Sequence, residues 1–246
     1  MIDTDFTGPV ARVTVAHDRK LNTLGSPLLV ALAEAFAAVP GTARAVVLTG
    51  QGARAFIGGA DITEMARIET PAQGWAFIER VHAVCVAIRA CPVPVIARIN
   101  GWCLGAGLEI AAACDLRIAI PTAMFGMPEV RVGIPSVVEA ALLPGLIGWG
   151  RTRRLLLLGE TVGAAEMERW GFLERVSDDL DAACDEWCAL IAEAGPVAVR
   201  AQKALIRAWE DLPLSRAIEA GIPAFAASWE TDEPRAMMAA FVNRKR

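Results

Sequence analysis

The chain has 246 residues, of which 54% are hydrophobic and 21% are charged, and its formal net charge is −4 at pH 7. A chain of this length can form one substantial core with an appendage. The slightly acidic balance, without a basic stripe, argues against a nucleic-acid partner, and charged residues interrupt every apolar run before it reaches the roughly 18 residues that a membrane span needs.

Neither a secretion signal nor a metal site is indicated. The opening Met-Ile-Asp-Thr-Asp has no basic segment followed by an apolar one, so we expect no signal peptide. The six cysteines form no Cys-x-x-Cys pair, and two histidines cannot complete the usual zinc ligand sets. We therefore expect a cytoplasmic protein with reduced thiols, no bound metal and no membrane partner.

Strands and helices alternate in the first half of the chain. Apolar alternation and short apolar runs indicate the strands, and a Ser-Pro start and amphipathic periodicity indicate the helices. The predicted elements are, in order, a strand at residues 10–16, a helix at 26–39, a strand at 43–48, a helix at 71–89, a strand at 95–99, a helix from 105 and a strand at 115–120. This alternation predicts an α/β core with parallel strands.

The second half is predicted to be mostly helical. Helices are expected at residues 136–147, 150–158, 163–170, 179–193, 196–210, 214–227 and 232–243, with one short strand at 172–177. We divide the chain into a core at residues 1–194 and a C-terminal helical region at 195–246.

Large apolar residues are numerous in the C-terminal region: Trp209, Ile218, Ile222, Phe225, Trp229, Met237, Met238 and Phe241. They must pack on the core or on a neighbouring subunit, because apolar helices at a chain end rarely stay exposed. Oligomerisation is therefore expected.

Two glutamates occur next to turns in strongly apolar surroundings. Glu109 ends the stretch Asn100-Gly-Trp-Cys-Leu-Gly-Ala-Gly-Leu-Glu109, and Glu129 ends Met124-Phe-Gly-Met-Pro-Glu129. Alone, Glu109 is equally explained by the dipole of its helix, and Glu129 by a surface turn. Together they indicate proton transfer, since like charges in one apolar cavity raise at least one pKa toward neutrality.

Two glycine-rich loops accompany these acids. The turn Gly58-Gly-Ala60 permits close approach of a ligand to the backbone. The loop Gly105-Ala-Gly107 opens a helix whose first N–H groups lack intrahelical partners. Either loop alone has a simpler explanation as a tight turn or a close helix–strand crossing. Beside two acids, they indicate an oxyanion site, where each donor is worth roughly 3 kcal/mol of barrier.

Three motifs in this order resemble the crotonase superfamily, and within it the enoyl-CoA hydratases. They are Ala55-Phe-x-x-Gly-Ala-Asp-Ile, Ile99-Asn-Gly-x-x-x-Gly-x-Gly-x-Glu109 and Phe125-Gly-x-Pro-Glu129-Val-x-x-Gly-Ile-Pro135. The resemblance extends over nearly the whole chain. It implies a spiral of ββα units with a C-terminal helical layer, a homotrimer or a hexamer built as a dimer of trimers, and an acyl-CoA thioester as substrate.

The resemblance also implies roles for individual residues. The backbone N–H groups of Ala60 and Ala106 match the oxyanion donors, and Glu109 and Glu129 match the two catalytic carboxylates. Positions that match substrate-binding sites are Arg54, Gly59, Asp61, Ile62, Gly105 and Val137. No metal or redox cofactor is implied, because coenzyme A enters as part of the substrate.

The implied reaction is the reversible hydration of a 2-enoyl-CoA to a 3-hydroxyacyl-CoA. The two loops polarise the thioester carbonyl, and a water held between the glutamates attacks the β-carbon. Glu129 would protonate the α-carbon while Glu109 helps deprotonate the water, but coupled acids titrate as a pair, so the division of roles stays open.

The chain departs from the family pattern at two places. Ala106 stands where hydratases usually have Gly. Ser136-Val-Val-Glu139 replaces a glycine-rich segment, so Val137 is expected to reshape the acyl pocket. Glu139 is either a third acid or a solvent-facing helical residue, and we predict the solvent-facing position.

Several other functions compete with hydration. A double-bond isomerase needs only Glu129, and a dehydratase or lyase acting on a substituted acyl-CoA uses the same groups. A dinucleotide fingerprint is imitated by Gly105-x-Gly107, but Ile110 occupies its third glycine position. A non-catalytic RNA-binding role would need a basic face, and the composition offers little of one.

Two further residues are expected to have no role in the chemistry. His82 is expected to be structural, and Cys103 to be a packing residue.

Overall fold

The computed structural model of the chain describes residues 1–244. Its strands are β1 (Ile2–Asp5), β2 (Val10–Val15), β3 (Ala45–Gly50), β4 (Ala55–Ile57), β5 (Val95–Ile99), β6 (Trp102–Leu104), β7 (Leu116–Ala119), β8 (Met124–Gly126), β9 (Thr161–Gly163) and β10 (Arg175–Val176).

The helices alternate with these strands and then form the C-terminal part. They are α1 (Ser26–Ala37), α2 (Ile62–Met65), α3 (Pro71–Ala90), α4 (Ala106–Ala113), α5 (Leu143–Leu158), α6 (Ala164–Trp170), α7 (Leu180–Glu193), α8 (Pro196–Asp211), α9 (Leu214–Ser228) and α10 (Glu233–Arg244). Short 3₁₀ turns lie at Asp18–Lys20, Glu129–Val132 and Val138–Leu142.

Two sheets give the fold its spiral form. The larger sheet has the strand order β1-β2-β3-β5-β7-β10, and the smaller has the order β4-β6-β8-β9. The strands β3, β5 and β7 of the larger sheet are each followed by one strand of the smaller sheet, and then by helical structure. The predicted α/β fold with ββα units and C-terminal helices is therefore confirmed.

Both faces of the larger sheet are covered. Val46 and Leu48 point from β3 into the main apolar core, which also contains buried residues of α1, α3 and α4. Val47, on the other face, packs in a second cluster with Leu180 and Cys184 of α7. This alternation follows from the two-residue period of a strand. Burial on both faces explains why the strands are short apolar runs.

A capping box followed by a proline marks the start of helix α3. Thr70 Oγ1 accepts the Gln73 N–H at 3.3 Å, and Gln73 Oε1 accepts the Thr70 N–H at 3.1 Å, which forms a reciprocal capping box. Pro71 follows in the first turn, and the helix ends before Cys91-Pro. These signals fix the helix that carries Phe77 and Val81 toward the candidate site.

The prediction of a continuous helix at residues 136–147 is wrong. Val137 is extended, and Val138 has φ +40°, an unusual value for a β-branched residue. The turn Val138–Leu142 then leads into α5, within which Gly148 breaks the helical geometry with φ +78°. An extended segment therefore reaches the candidate site where a helix was expected.

The C-terminal helices leave many apolar side chains exposed on the single chain. Ile218, Ile222 and Phe225 of α9 are 67%, 72% and 68% exposed. Helix α8, in contrast, is fixed to the core through Lys203, whose buried Nζ donates to Val93 O at 2.9 Å and to Asp115 Oδ2 at 2.7 Å. The division of the chain into residues 1–194 and 195–246 stays a prediction. The last two residues of the second region, 245–246, lie outside the described part of the chain.

No helix in residues 1–244 combines the length and apolar character needed to cross a membrane.

Candidate active site

The candidate site lies where three neighbouring strands of the smaller sheet end. Strands β4, β6 and β8 are parallel, so their carboxyl ends meet at one edge. The turn at Gly58 follows β4, the loop at Gly105 follows β6, and Glu129 follows β8. Ligands of open α/β sheets bind outside the carboxyl ends of the strands. Topology thereby unites three motifs that are far apart in the sequence.

A cavity of about 860 Å³ opens at this edge. Both glutamates, the two glycine-rich loops and the segment after Pro135 line it. Much of the remaining wall is apolar and includes Met65, Ile68, Phe77, Ile78, Val81 and Val132. A mostly apolar cavity with a few converging polar groups is typical of a small-molecule site.

The turn after β4 presents the N–H of Ala60. Leu24 N donates to Gly59 O and Asp61 N donates to Leu24 O, both at 2.9 Å, so the neighbours of Ala60 are paired in a parallel bridge. The Ala60 N–H itself has no acceptor among the described residues. Because Ala60 lines the cavity, its N–H is available to a ligand oxygen.

The loop after β6 offers a second N–H beside the first. Gly105 N donates to Gly126 O at 2.9 Å, whereas the N–H of Ala106, at the start of α4, meets no acceptor within residues 1–244. The two loops are adjacent, since a Cβ on Gly59 would lie 3.2 Å from Leu104 O. The predicted oxyanion donors therefore lie on neighbouring loops and line one cavity.

Glu109 lies on the first turns of α4 and is only 4% exposed. Burial first, and then the negative charges of Glu129 and Glu139, raise the pKa of its carboxyl from 4.5 to about 8. The backbone N–H groups of Ala140 and Val137 oppose this rise. At neutral pH the carboxyl therefore holds a proton that it can donate.

Glu129 faces the second loop. Its Oε2 accepts a hydrogen bond from Ser136 Oγ at 2.9 Å, and a Cβ on Gly105 would lie 2.4 Å from its Oε1. Burial raises the pKa of this carboxyl as well, while a backbone N–H and the Ser136 hydroxyl oppose the rise. Both predicted acids thus line one cavity, close enough for the charge of one to act on the other.

The predicted solvent-facing position of Glu139 is wrong. Glu139 is 7% exposed, and its Oε1 lies 2.8 Å from His82 Nδ1 on α3. Neither residue lines the cavity. The sequence pattern suggested a helix here, and the 3₁₀ turn after Val138 instead directs Glu139 inward.

The remaining predicted positions fall into two groups. Five of them line the cavity: Gly59, Asp61, Ile62, Gly105 and Val137. Arg54 does not, because its guanidinium bonds Asp18 O and lies 3.5 Å from Asp18 Oδ1 at an exposed turn. Its role toward coenzyme A stays a prediction. Cys103 is buried, and its thiol donates to Gly107 O at 3.4 Å, as expected of a packing residue.

Lys20 and Ser136 are among the cavity residues that the sequence predictions missed. Lys20 lies at the cavity wall and pairs with Asp61 at 3.2 Å while its side chain stays 55% exposed. Ser136 bonds Glu129. The pair Arg19-Lys20 was the only sequence signal for the first, and nothing in the sequence indicated the second.

Within the described chain, no group of three or more His, Cys, Asp or Glu residues is arranged to hold a metal ion.

Comparison with known proteins places the chain in a family. The profile of the enoyl-CoA hydratase/isomerase family matches residues 5–246. A short-chain-enoyl-CoA hydratase of Clostridium acetobutylicum is 32% identical, covering 97% of this chain and 93% of the relative. A crotonyl-CoA hydratase of Syntrophomonas wolfei is 30% identical over 96% of this chain and 93% of the relative. The crystal structure of an enoyl-CoA hydratase from Bacillus anthracis superposes with a TM-score of 0.94 at 30% identity, covering 99% of this chain and 96% of that one.

The chain belongs to the enoyl-CoA hydratase/isomerase family of the crotonase superfamily. The predicted family and the prediction of an enzyme of the enoyl-CoA hydratase class are confirmed. At the level of the family, enoyl-CoA hydration is supported.

Proposed function

We propose that the protein catalyses the reversible hydration of a 2-enoyl-CoA thioester to a 3-hydroxyacyl-CoA. The observation that carries this proposal is the shared cavity, which both Glu109 and Glu129 line next to the two loops of Ala60 and Ala106. An isomerase needs one carboxyl group to move a proton along the acyl chain. A second carboxyl group in the same cavity favours an enzyme that also handles water.

The loops act on the thioester in this mechanism. The N–H groups of Ala60 and Ala106 donate to its carbonyl oxygen, where negative charge collects when the enolate forms. Donors fixed by the backbone need no reorganisation during the reaction, and each is worth roughly 3 kcal/mol of barrier. The methyl group of Ala106 leaves its N–H in place, so the departure from glycine does not remove the donor.

The carboxyl groups act on the water as one pair that carries one proton. The water oxygen bonds to the β-carbon, and the ionised member of the pair takes the proton that the water loses. The protonated member gives its proton to the α-carbon as the enolate electrons return. Because the two groups are coupled, these roles belong to the pair and not to one residue. Every step uses groups of the chain, and coenzyme A enters with the substrate.

Lys20 and the apolar wall position the two ends of the substrate in this proposal. The exposed ammonium of Lys20 at the cavity wall suits the phosphates of coenzyme A. The acyl chain would lie against Phe77, Ile78 and Val137.

We also propose a homotrimer or hexamer, which the exposed apolar face of α9 supports. A cytoplasmic location stays a prediction.

Substitution of the pair tests the mechanism. Glu109→Gln and Glu129→Gln keep the side-chain size but remove the titrating group, so turnover of crotonyl-CoA should fall at least about a hundredfold with thioester affinity nearly unchanged. Loss of the conjugated absorbance and the mass of the product measure hydration. Glu79→Gln, on the exposed side of α3, is the matched control.

Two results would count against the proposal. Wild-type rates from both variants would remove the assigned pair from the chemistry. Conversion of 3-enoyl-CoA to 2-enoyl-CoA without hydration, retained in Glu109→Gln, would identify an isomerase instead.

A screen of branched, aromatic and hydroxylated acyl-CoA thioesters would reveal a dehydratase or lyase acting on a substituted substrate.

A further inference from the structure

A third carboxylate lies behind the candidate pair. Glu139 follows the cavity-lining residues Pro135–Val137, yet it does not line the cavity and is 7% exposed. Its Oε1 is held by His82 Nδ1 at 2.8 Å, whereas its Oε2 is buried without any hydrogen-bond partner in the described chain. An unpartnered buried carboxylate oxygen destabilises a fold, because the water it loses on burial is not replaced by another donor. Such a residue calls for an explanation beyond packing.

The backbone around Glu139 joins it to Glu109. The N–H groups of Val137 and Ala140, on either side of Glu139, interact with the Glu109 carboxyl. Val138, between them, has φ +40°, a conformation that a β-branched side chain adopts only under constraint. The turn that begins at Val138 packs against α4, so it places Glu139 beside the helix that carries Glu109.

The charged and titratable groups around the two carboxyls come from two elements. Glu129 faces Glu109 from the 3₁₀ turn after β8. Helix α3 contributes His82 and Cys85, and the thiol of Cys85 is influenced by both Glu109 and Glu139. Its pKa is raised by burial first and then by these two negative charges, so the thiol stays protonated and is a weak hydrogen-bond donor close to Glu139.

We propose that Glu139, held by His82, is a positioning residue that keeps the catalytic proton on the Glu109–Glu129 pair. This inference rests on the proposed function. The negative charge of Glu139, fixed behind Glu109, disfavours the loss of the proton that the Glu109–Glu129 pair shares. His82 lies between Glu139 and the surface, with its ring half exposed, and its Nδ1 is hydrogen-bonded to the Glu139 carboxyl.

Removal of the Glu139 charge tests the proposal directly. Glu139→Gln retains the shape and can still accept from His82. In the substrate-free protein, the titration midpoint of Glu109, followed by carboxyl ¹³C NMR and assigned by its absence in Glu109→Gln, should move to lower pH by at least about 0.5 unit. The alkaline limb of kcat/KM for crotonyl-CoA should move by the same amount. Glu79→Gln, an equal charge change on the exposed side of α3, should move neither.

Two His82 variants separate the hydrogen bond from general packing. His82→Asn can place its amide nitrogen near the former Nδ1, so the Glu109 midpoint should stay near the wild-type value. His82→Phe removes the hydrogen bond that holds Glu139 in place behind Glu109, so the midpoint should fall as in Glu139→Gln. Combining His82→Phe with Glu139→Gln should add no further shift, because both changes remove the same charge.

The two readouts have distinct consequences. An unmoved Glu109 midpoint in folded Glu139→Gln overturns the inference, even if turnover falls, because a structural role alone predicts lost activity without a shifted titration. A midpoint that moves to higher pH overturns it equally. Absence of hydration by the wild-type protein would refute the proposed function, while the NMR titration would still decide whether Glu139 acts on Glu109.

Discussion

A glycine that accommodates a catalytic group offers the sharpest test at the scale of single residues. Gly105 has φ +51°, and a Cβ there would lie 2.4 Å from Glu129 Oε1. We predict that Gly105→Ala forces Glu129 out of its position and strains the backbone. Turnover should fall roughly tenfold to a hundredfold, and the free energy of unfolding by about 1–3 kcal/mol. Steady-state kinetics and urea denaturation measure the two effects.

Gly145→Ala is the matched control for this substitution. Gly145 lies in the first turn of α5, and an added Cβ would meet no atom within 4 Å. Alanine should there leave turnover unchanged and stabilise the helix by up to about 1 kcal/mol. Equal losses in both variants, or full activity of Gly105→Ala, would contradict the close contact between the second loop and Glu129.

The residues of the candidate site were only partly predictable from the sequence. Glu109, Glu129 and the two loops were identified because acids beside glycine-rich turns form a pattern that local sequence displays. Ser136 and Glu139 were not, because their importance depends on the conformation of the segment between them. Helical periodicity predicted a solvent-facing Glu139. The positive φ of Val138, which no propensity scale anticipates for a β-branched residue, turns it inward.

At the scale of elements, the larger sheet was predictable apart from its polar edge strand β1, and the smaller sheet was not. Buried strands such as β3 and β5 are apolar runs of five or six residues, long enough to show a pattern. Strands β4, β6 and β8 have three residues each, which is too short for periodicity to be seen. These missed strands are the ones whose ends form the candidate site.

The apolar face of α9 predicts an assembly that can be tested. Ile218, Ile222 and Phe225 are spaced so that they share one face of the helix, and all are more than half exposed on the single chain. We predict that Ile222→Glu disrupts the proposed trimer, because the introduced charge would be buried without a partner. Sedimentation velocity should show a smaller species at equal protein concentration.

Arg216→Gln makes an equal change of charge on the opposite face of α9. Its side chain is exposed and, within residues 1–244, forms an ion pair with nearby Glu219 alone, so this variant should keep the wild-type sedimentation coefficient. An Ile222→Glu protein that sediments like the wild type would show that this face of α9 does not mediate assembly.

At the scale of the whole molecule, the site depends on the spiral. Each turn of the chain places one strand in the larger sheet and the next in the smaller, so that successive loops reach the same edge. Helix α4 brings Glu109 to that edge from within the core, where all of its residues are buried. Such burial of a carboxyl group suits proton transfer but opposes stability once the group must ionise.

The pH dependence of stability follows from that conflict. The folded-state pKa of Glu109, about 8, lies above its unfolded value of 4.5. Below about pH 4.5 both states are protonated, and the folded protein has no penalty from this group. As the pH rises toward 8, the unfolded chain ionises first and the free energy of unfolding falls, by a few kcal/mol in total. Above pH 8 this contribution is constant.

Glu109→Gln cannot ionise, so its stability should decline less between pH 5 and 8. We therefore predict that the inactive variant is more stable than the wild type at pH 8, in urea denaturation at one fixed protein concentration. Parallel stability curves for the two proteins over this range would show that Glu109 is not a buried acid with a raised pKa.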